Sequence, residues 1–138
     1  MTATAPELVM PLLRPAVLEW LAGIAGNGVH WQVTQDPVNP PVLLVQLRDP
    51  GAVRRYVGAP AQWQSTIQVR AQAATLDAAE ALVALARAAI PASAVLTDAD
   101  GGTWDLELRP GAPLVSVPGK IIHTAGQTYR ARLTERSA

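Results

Sequence analysis

The chain has no cysteine, which excludes disulfides, thiolate metal sites and cysteine nucleophiles. It also has no excess of charge of either sign: 11 basic side chains balance 11 acidic ones, for a formal net charge of zero. Free-standing nucleic-acid binding draws on a basic excess that displaces counterions, so the balance argues against it. The same balance minimises self-repulsion and works against solubility as a monomer. No apolar run approaches the roughly 20 residues of a membrane span, and the N-terminus lacks the basic-then-apolar layout of a signal peptide. These absences predict a protein made and used in the cytosol, or in something assembled there, with no membrane partner. Charge itself is scarce, at 16% of residues, against roughly a quarter in an average globular protein. Gln, Thr, Ala and Pro must therefore cover the surface, as suits contact with other subunits. The alternative is compositional: ten arginines against the single Lys120 fit an Ala-rich chain from a GC-rich genome.

The chain's 138 residues are one ordinary domain, large enough to bury a core without staples. Residues 6–25 read as helix, with Val9, Leu13, Ala16, Val17, Trp20 and Ile24 on one face. Pro11 and Pro15 move the regular part to begin near one or the other, and Gly23, Gly26 and Asn27-Gly28 end it. Val29, Trp31 and Val33 alternate with His30, Gln32 and Thr34 as a half-buried strand. Residues 42–47, after the Asn39-Pro40-Pro41 break, are nearly all apolar, as in a strand covered on both faces. Residues 62–73 alternate most clearly. Trp63, Ile67, Val69, Ala71 and Ala73 face one way, and Gln62, Gln64, Thr66, Gln68, Arg70 and Gln72 the other.

A second helix follows, capped by Thr75, with Asp77 in its first turn and Pro91 as its stop. Its stripe is Leu76, Ala79, Leu82, Val83, Ala86 and Ile90, widened by Leu85 and further alanines so that more than one neighbour can pack there. Asp100-Gly101-Gly102 makes a turn into a strand through Trp104, Leu106 and Leu108. A Pro110-Gly111 turn leads into residues 114–117, and Tyr129, Ala131 and Leu133 mark a closing strand. The order predicts an α+β domain: a mostly antiparallel sheet with two helices packed on one face and long inter-strand loops. The two long connections are 48–60, with Val53, Arg54, Arg55, Tyr56 and Val57, and 118–127, with Lys120, Ile121, Ile122 and His123. Each mixes apolar and basic residues on what must be surface, which makes both candidates for protein contacts. Gln64, Gln68 and Arg70, on the polar face of residues 62–73, are candidates for the same role.

Chemistry is harder to find. His30 and His123 stand in no metal-ligand pattern, and serines 65, 93, 116 and 137 lack a nucleophile-elbow context. Asp98 and Asp100 beside Gly101-Gly102 lack the remainder of a calcium loop and read as a turn before a strand. Asp105, Glu107 and Arg109 share a strand face, and Arg130 and Arg132 opposite them would complete a cross-strand charge ladder. Gly26-Asn27-Gly28 precedes a strand and lacks the Lys-Ser/Thr of a phosphate loop. No catalytic, cofactor or metal site is expected. Convergence of Asp105, Glu107 and His30 in a cleft would reopen the enzyme alternative.

The succession of a leading helix, an apolar strand after a proline break (Pro40 to Leu47), a long loop, and an alternating strand running into an Ala/Leu helix resembles the tail terminator, or tail completion, proteins of long-tailed bacteriophages. The stretch from Trp63 to Ile90, with its D-A-A-E-A helix start, carries most of the resemblance. A PLVSVP strand and a final TYRARLTE strand extend it over most of the chain, by pattern and order. The resemblance implies a homomeric ring, typically a hexamer, that caps the tail tube, ends its polymerisation and forms the head-attachment surface. It implies a virion protein assembled in the host cytoplasm. Its partners would be itself, the tail tube protein and a head-completion or neck protein, with DNA only as passing cargo in the lumen. Head–tail joining proteins share the layout, and a small ligand-binding regulatory α+β module is the alternative from another class.

Overall fold

A helix, three strands, a second helix and three further strands succeed one another in the computed structural model, which describes residues 10–31, 39–48, 58, 60–117 and 122–136. They are α1 (Met10–Leu21), β1 (Val29–Trp31), β2 (Val42–Arg48), β3 (Gln62–Ala73), α2 (Leu76–Ala89), β4 (Ser93–Thr97), β5 (Thr103–Val117) and β6 (His123–Glu135). The strands form one sheet in the order β1-β2-β3-β6-β5-β4. All neighbours pair antiparallel except β1 and β2, which are parallel. Helix α1 touches both edge strands, β1 and β4. A flat six-stranded sheet would hold its edges about 24 Å apart, so the sheet curls to bring both within reach of one helix.

The alternation along β3 is the element in which sequence and structure agree residue for residue. Trp63, Ile67, Val69, Ala71 and Ala73 are buried, and the intervening glutamines are exposed or half-exposed. The central ladder pairs all twelve residues of β3 with β6, from Gln62↔Thr134 to Ala73↔His123. Helix α2 also forms as its sequence dictates. Thr75 Oγ1 accepts a hydrogen bond from Ala78 N at 3.1 Å, and Ala79, Leu82, Val83 and Ala86 are the buried stripe. Leu85 faces out, 54% exposed. Both helices contribute to a single core cluster with Trp63, Trp104, Leu106, Tyr129 and Leu133.

The structure departs from the expectations in several places. Within the described residues the first helix spans Met10–Leu21 and continues through Pro15. Its buried residues are Leu12, Leu13, Val17 and Leu21, while Trp20 and Ile24 are only partly covered. The buried arc of α1 is rotated from the predicted stripe, sharing Leu13 and Val17 with it. Strand β2 is covered on both faces only at its start: Leu43, Val45 and Leu47 are buried on one face, while on the other Val42 is buried and Leu44 and Gln46 only half so. The edge strand β4 was not anticipated; five residues with an exposed outer face give too little alternation to be read.

Pro110-Gly111 is not a turn. Strand β5 runs through it, with the register shifting between Pro110 and Pro113. The prolines lack N–H groups for the ladder, and side chains of β6 bond the strand there instead. Gln127 Nε2 donates to Gly111 O at 2.7 Å and Thr128 Oγ1 to Ala112 O at 2.6 Å. Because β6 starts at His123, the predicted long loop of residues 118–127 is strand over its second half.

Gly126 lies where β6 is pressed between β3 and β5. A Cβ there would stand 2.9 Å from the Val69 carbonyl oxygen, besides meeting Leu114. The leucine can move, but the backbone of a central strand cannot. Gly126→Ala is therefore expected to destabilise the fold by about 1–3 kcal/mol, measured as a lowered urea midpoint with an unchanged m-value. Thr75→Ala, which removes only the helix cap, is expected to lose about 1 kcal/mol.

Candidate interaction surface

Period-two alternation puts most apolar residues of β2, β3, β5 and β6 into the core and leaves their opposite face mostly polar, with Val42, Leu44 and Leu114 at one end of it. The registers then fix which outward side chains are neighbours. One row across β2, β3, β6 and β5 is Arg48, Thr66, Arg130 and Arg109. The next, across β3, β6, β5 and β4, is Gln64, Arg132, Glu107 and Ser93. On the other side of the arginine row, Gln46, Gln68 and Thr128 line up. A shallow hollow of about 440 Å³ opens over the middle of this face, with Gln64, Thr66, Glu107, Arg109, Arg130 and Arg132 around it.

The expected charge ladder is only partly present. Glu107 does stand opposite Arg132, but Arg109 stands opposite Arg130, a like-charge pair. Asp105 is opposite Thr134 and forms its ion pair with Arg136, Nε to Oδ1 at 2.8 Å. Directly opposed like charges destabilise a sheet, so the Arg109–Arg130 pair works against the stability of the isolated chain.

Among the candidate contact residues, Gln64, Gln68 and Arg70 share the polar face, as their alternation predicted. Arg70 Nη2 donates to Gln46 Oε1 at 3.1 Å. Ile122 is half-buried, and His123 opens β6 opposite Ala73, so His123 is a strand residue and not a loop residue. Its Nδ1 is buried and has no hydrogen-bond partner. Val53, Arg54, Arg55, Tyr56, Val57, Lys120 and Ile121 lie outside the described residues.

His30 is exposed on β1, and Asp105 and Glu107 lie on β5, with β2, β3 and β6 between them. These three groups do not converge. Among the described residues no three His, Asp or Glu side chains are grouped to hold a metal ion. Asp98 has a structural partner for each oxygen. Oδ1 accepts from Asp100 N at 2.9 Å and Gly102 N at 2.8 Å, and Oδ2 from Trp104 Nε1 at 3.1 Å. It clamps the β4–β5 turn, as the sequence suggested. The bond from Trp104, then those from Gly102 and Asp100, hold its carboxyl below the ordinary carboxylate range.

Sequence reasoning missed one polar node. Gln127, only 1% exposed, accepts a hydrogen bond from Arg87 of α2 and donates to Gly111 and Thr128. It ties helix, bulge and central strand together. Its neighbour Tyr129 is buried, with the Arg87 guanidinium close to its Oη. Burial pushes that phenol up, and the Arg87 guanidinium partly opposes the shift. The signal was available: inward positions 123, 125, 127, 129, 131 and 133 continue the period of the closing strand back through Gln127. Comparison with known family models and with curated proteins finds no match to this chain. Among the described residues no helix is long and apolar enough to cross a membrane.

The Asp98 clamp gives a pH-dependent prediction. A folded pKa below the unfolded value of about 3.9 stabilises the fold fully above that value, and the contribution is lost as pH falls through the folded pKa. Asp98→Asn is therefore expected to lower the urea midpoint at neutral pH, with the gap to wild type closing in acid. A gap of the same size at both pH values would contradict the assignment.

Proposed function

We propose that this chain is a structural virion subunit, a tail terminator that forms a homomeric, hexameric ring on the end of a phage tail tube. In this reading both helices cover one face of the sheet, and the polar face is left for neighbours and lumen. The observation that carries the proposal is the unit from Gln62 to Ala89. Strand β3, the Thr75 step and α2 are continuous and build the centre of the core. This is the part of the chain that most resembles terminator proteins.

Three further features support it. The hollow on the polar face is open and lined by polar and charged side chains, unlike the apolar clefts that take small molecules. Directly opposed arginines are tolerated on that face, as a surface selected for contacts beyond the chain allows. The strands carry residues suited to packing and none arranged for acid–base or nucleophilic chemistry. A ring follows when a heterologous interface closes on itself. The subunit would then act by geometry, offering one surface to the last tube ring and another to the head or neck protein.

Electron microscopy of the purified protein, alone and mixed with tail tubes, tests this. Rings seated on tube ends are expected. Particles that bind only head portals would shift the assignment to a head–tail joining protein. A chain that stays monomeric at high concentration and ignores tubes would refute both.

A further inference from the structure

Half of the chain's ten arginines stand on one face of the sheet: Arg48, Arg70, Arg109, Arg130 and Arg132. That face carries two carboxylates among the described residues, and Asp105 is already taken by Arg136. Among the described residues of this face, only Glu107 is left to offset the arginines. Exposed acids lie elsewhere: Glu19, Asp77 and Glu80 outnumber Arg14 and Arg87 on the helices, and Asp100 is in the β4–β5 turn. The zero net charge therefore conceals a separation of charge, and a local field does not depend on the net value.

We propose that this arginine-bearing face is a sequence-independent binding site for the phosphodiester backbone of duplex DNA. Spacing favours a chain of phosphates over a single anion. Arg130 and Arg132 are two residues apart on β6, about 6.8 Å along the strand, and Arg48 to Arg109 spans three strand intervals, about 14 Å. Guanidinium forks suit phosphate oxygens, and the glutamines and threonines beside them add neutral donors. The hollow has no aromatic lining, so it lacks the stacking platform that single strands use. Nor do the described residues of the face present a helix or ribbon to enter a groove, so contacts to the backbone carry no sequence information. Opposing Arg109 and Arg130 then has a purpose, because a bound phosphate relieves the repulsion between them. This deepens the terminator proposal, in which DNA passes the ring, and rests on it for the source of the DNA.

The test uses the full chain and a short labelled duplex of mixed sequence, followed by fluorescence anisotropy at rising salt. Binding at low salt that weakens as salt rises is expected. The double variant R130Q/R132Q should weaken low-salt binding about tenfold or more and reduce the salt slope by about two. Glu107→Gln should tighten binding. Arg130→Gln alone should leave the thermal midpoint unchanged or raised, since it removes a like-charge pair; a merely structural arginine would lower it. No binding by wild type at low salt, or no effect of R130Q/R132Q, would overturn the proposal. Tighter binding of a poly-glutamate peptide than of the duplex would also overturn it, and would assign the face to an acidic protein segment. Light scattering on the same samples separates the two proposals. Rings that do not bind DNA defeat this inference alone, and DNA binding by a chain that never forms rings defeats the terminator reading alone.

Discussion

The twelve-residue pairing of β3 with β6 sets the register on which both faces of the sheet depend. Because side chains alternate with period two, a slip of one residue would exchange core and surface along the strand. Trp63, Ile67 and Val69 would move to the polar face, and Gln64, Thr66 and Gln68 would be buried without partners. The apolar set on β3 matches Leu133, Ala131 and Tyr129 on β6, so burial penalises every slip by an odd number of residues. Together with the β2–β3 and β5–β6 registers, this pairing aligns Arg48, Thr66, Arg130 and Arg109 across four strands. The arginine row is thus a by-product of core formation that only the paired sheet reveals.

Around this ladder, polar groups hold places where the regular pattern fails. Prolines interrupt the β5–β6 ladder, and Gln127 and Thr128 replace its missing bonds. Gln127 also receives Arg87, so the bulge and α2 are positioned by one buried amide. A buried amide with both ends engaged fixes geometry as well as adding stability. Gly126, one residue away, supplies the close approach that lets β6 fit between its neighbours. Far from this node, Asp98 shapes the β4–β5 turn with three accepted hydrogen bonds.

Much of the fold was legible because it is local. Strand β3 shows twelve residues of alternation, and α2 has a cap, an apolar stripe and a proline stop, so both appear within their read boundaries. What was not legible is non-local. Pro110-Gly111 has turn chemistry in isolation, and only side chains of β6 make it a bulge. Strand β4 is short and half-exposed, so its pattern is weak until β5 pairs with it. Residues 122–127 read as loop because the glycine and glutamine there are polar or small, although their period is intact. Of the candidate surface, Gln64, Gln68 and Arg70 were read from alternation alone. Arg48, Arg109, Arg130 and Arg132 became one surface only through three registers that no single segment contains.

The central claim is that this domain works by fitting against copies of itself, and stoichiometry is its most direct measure. Native mass spectrometry of the purified chain should show one closed homo-oligomer, persisting across protein concentrations without a ladder of larger species. A monomer at every concentration, or an open-ended series of sizes, would contradict the account.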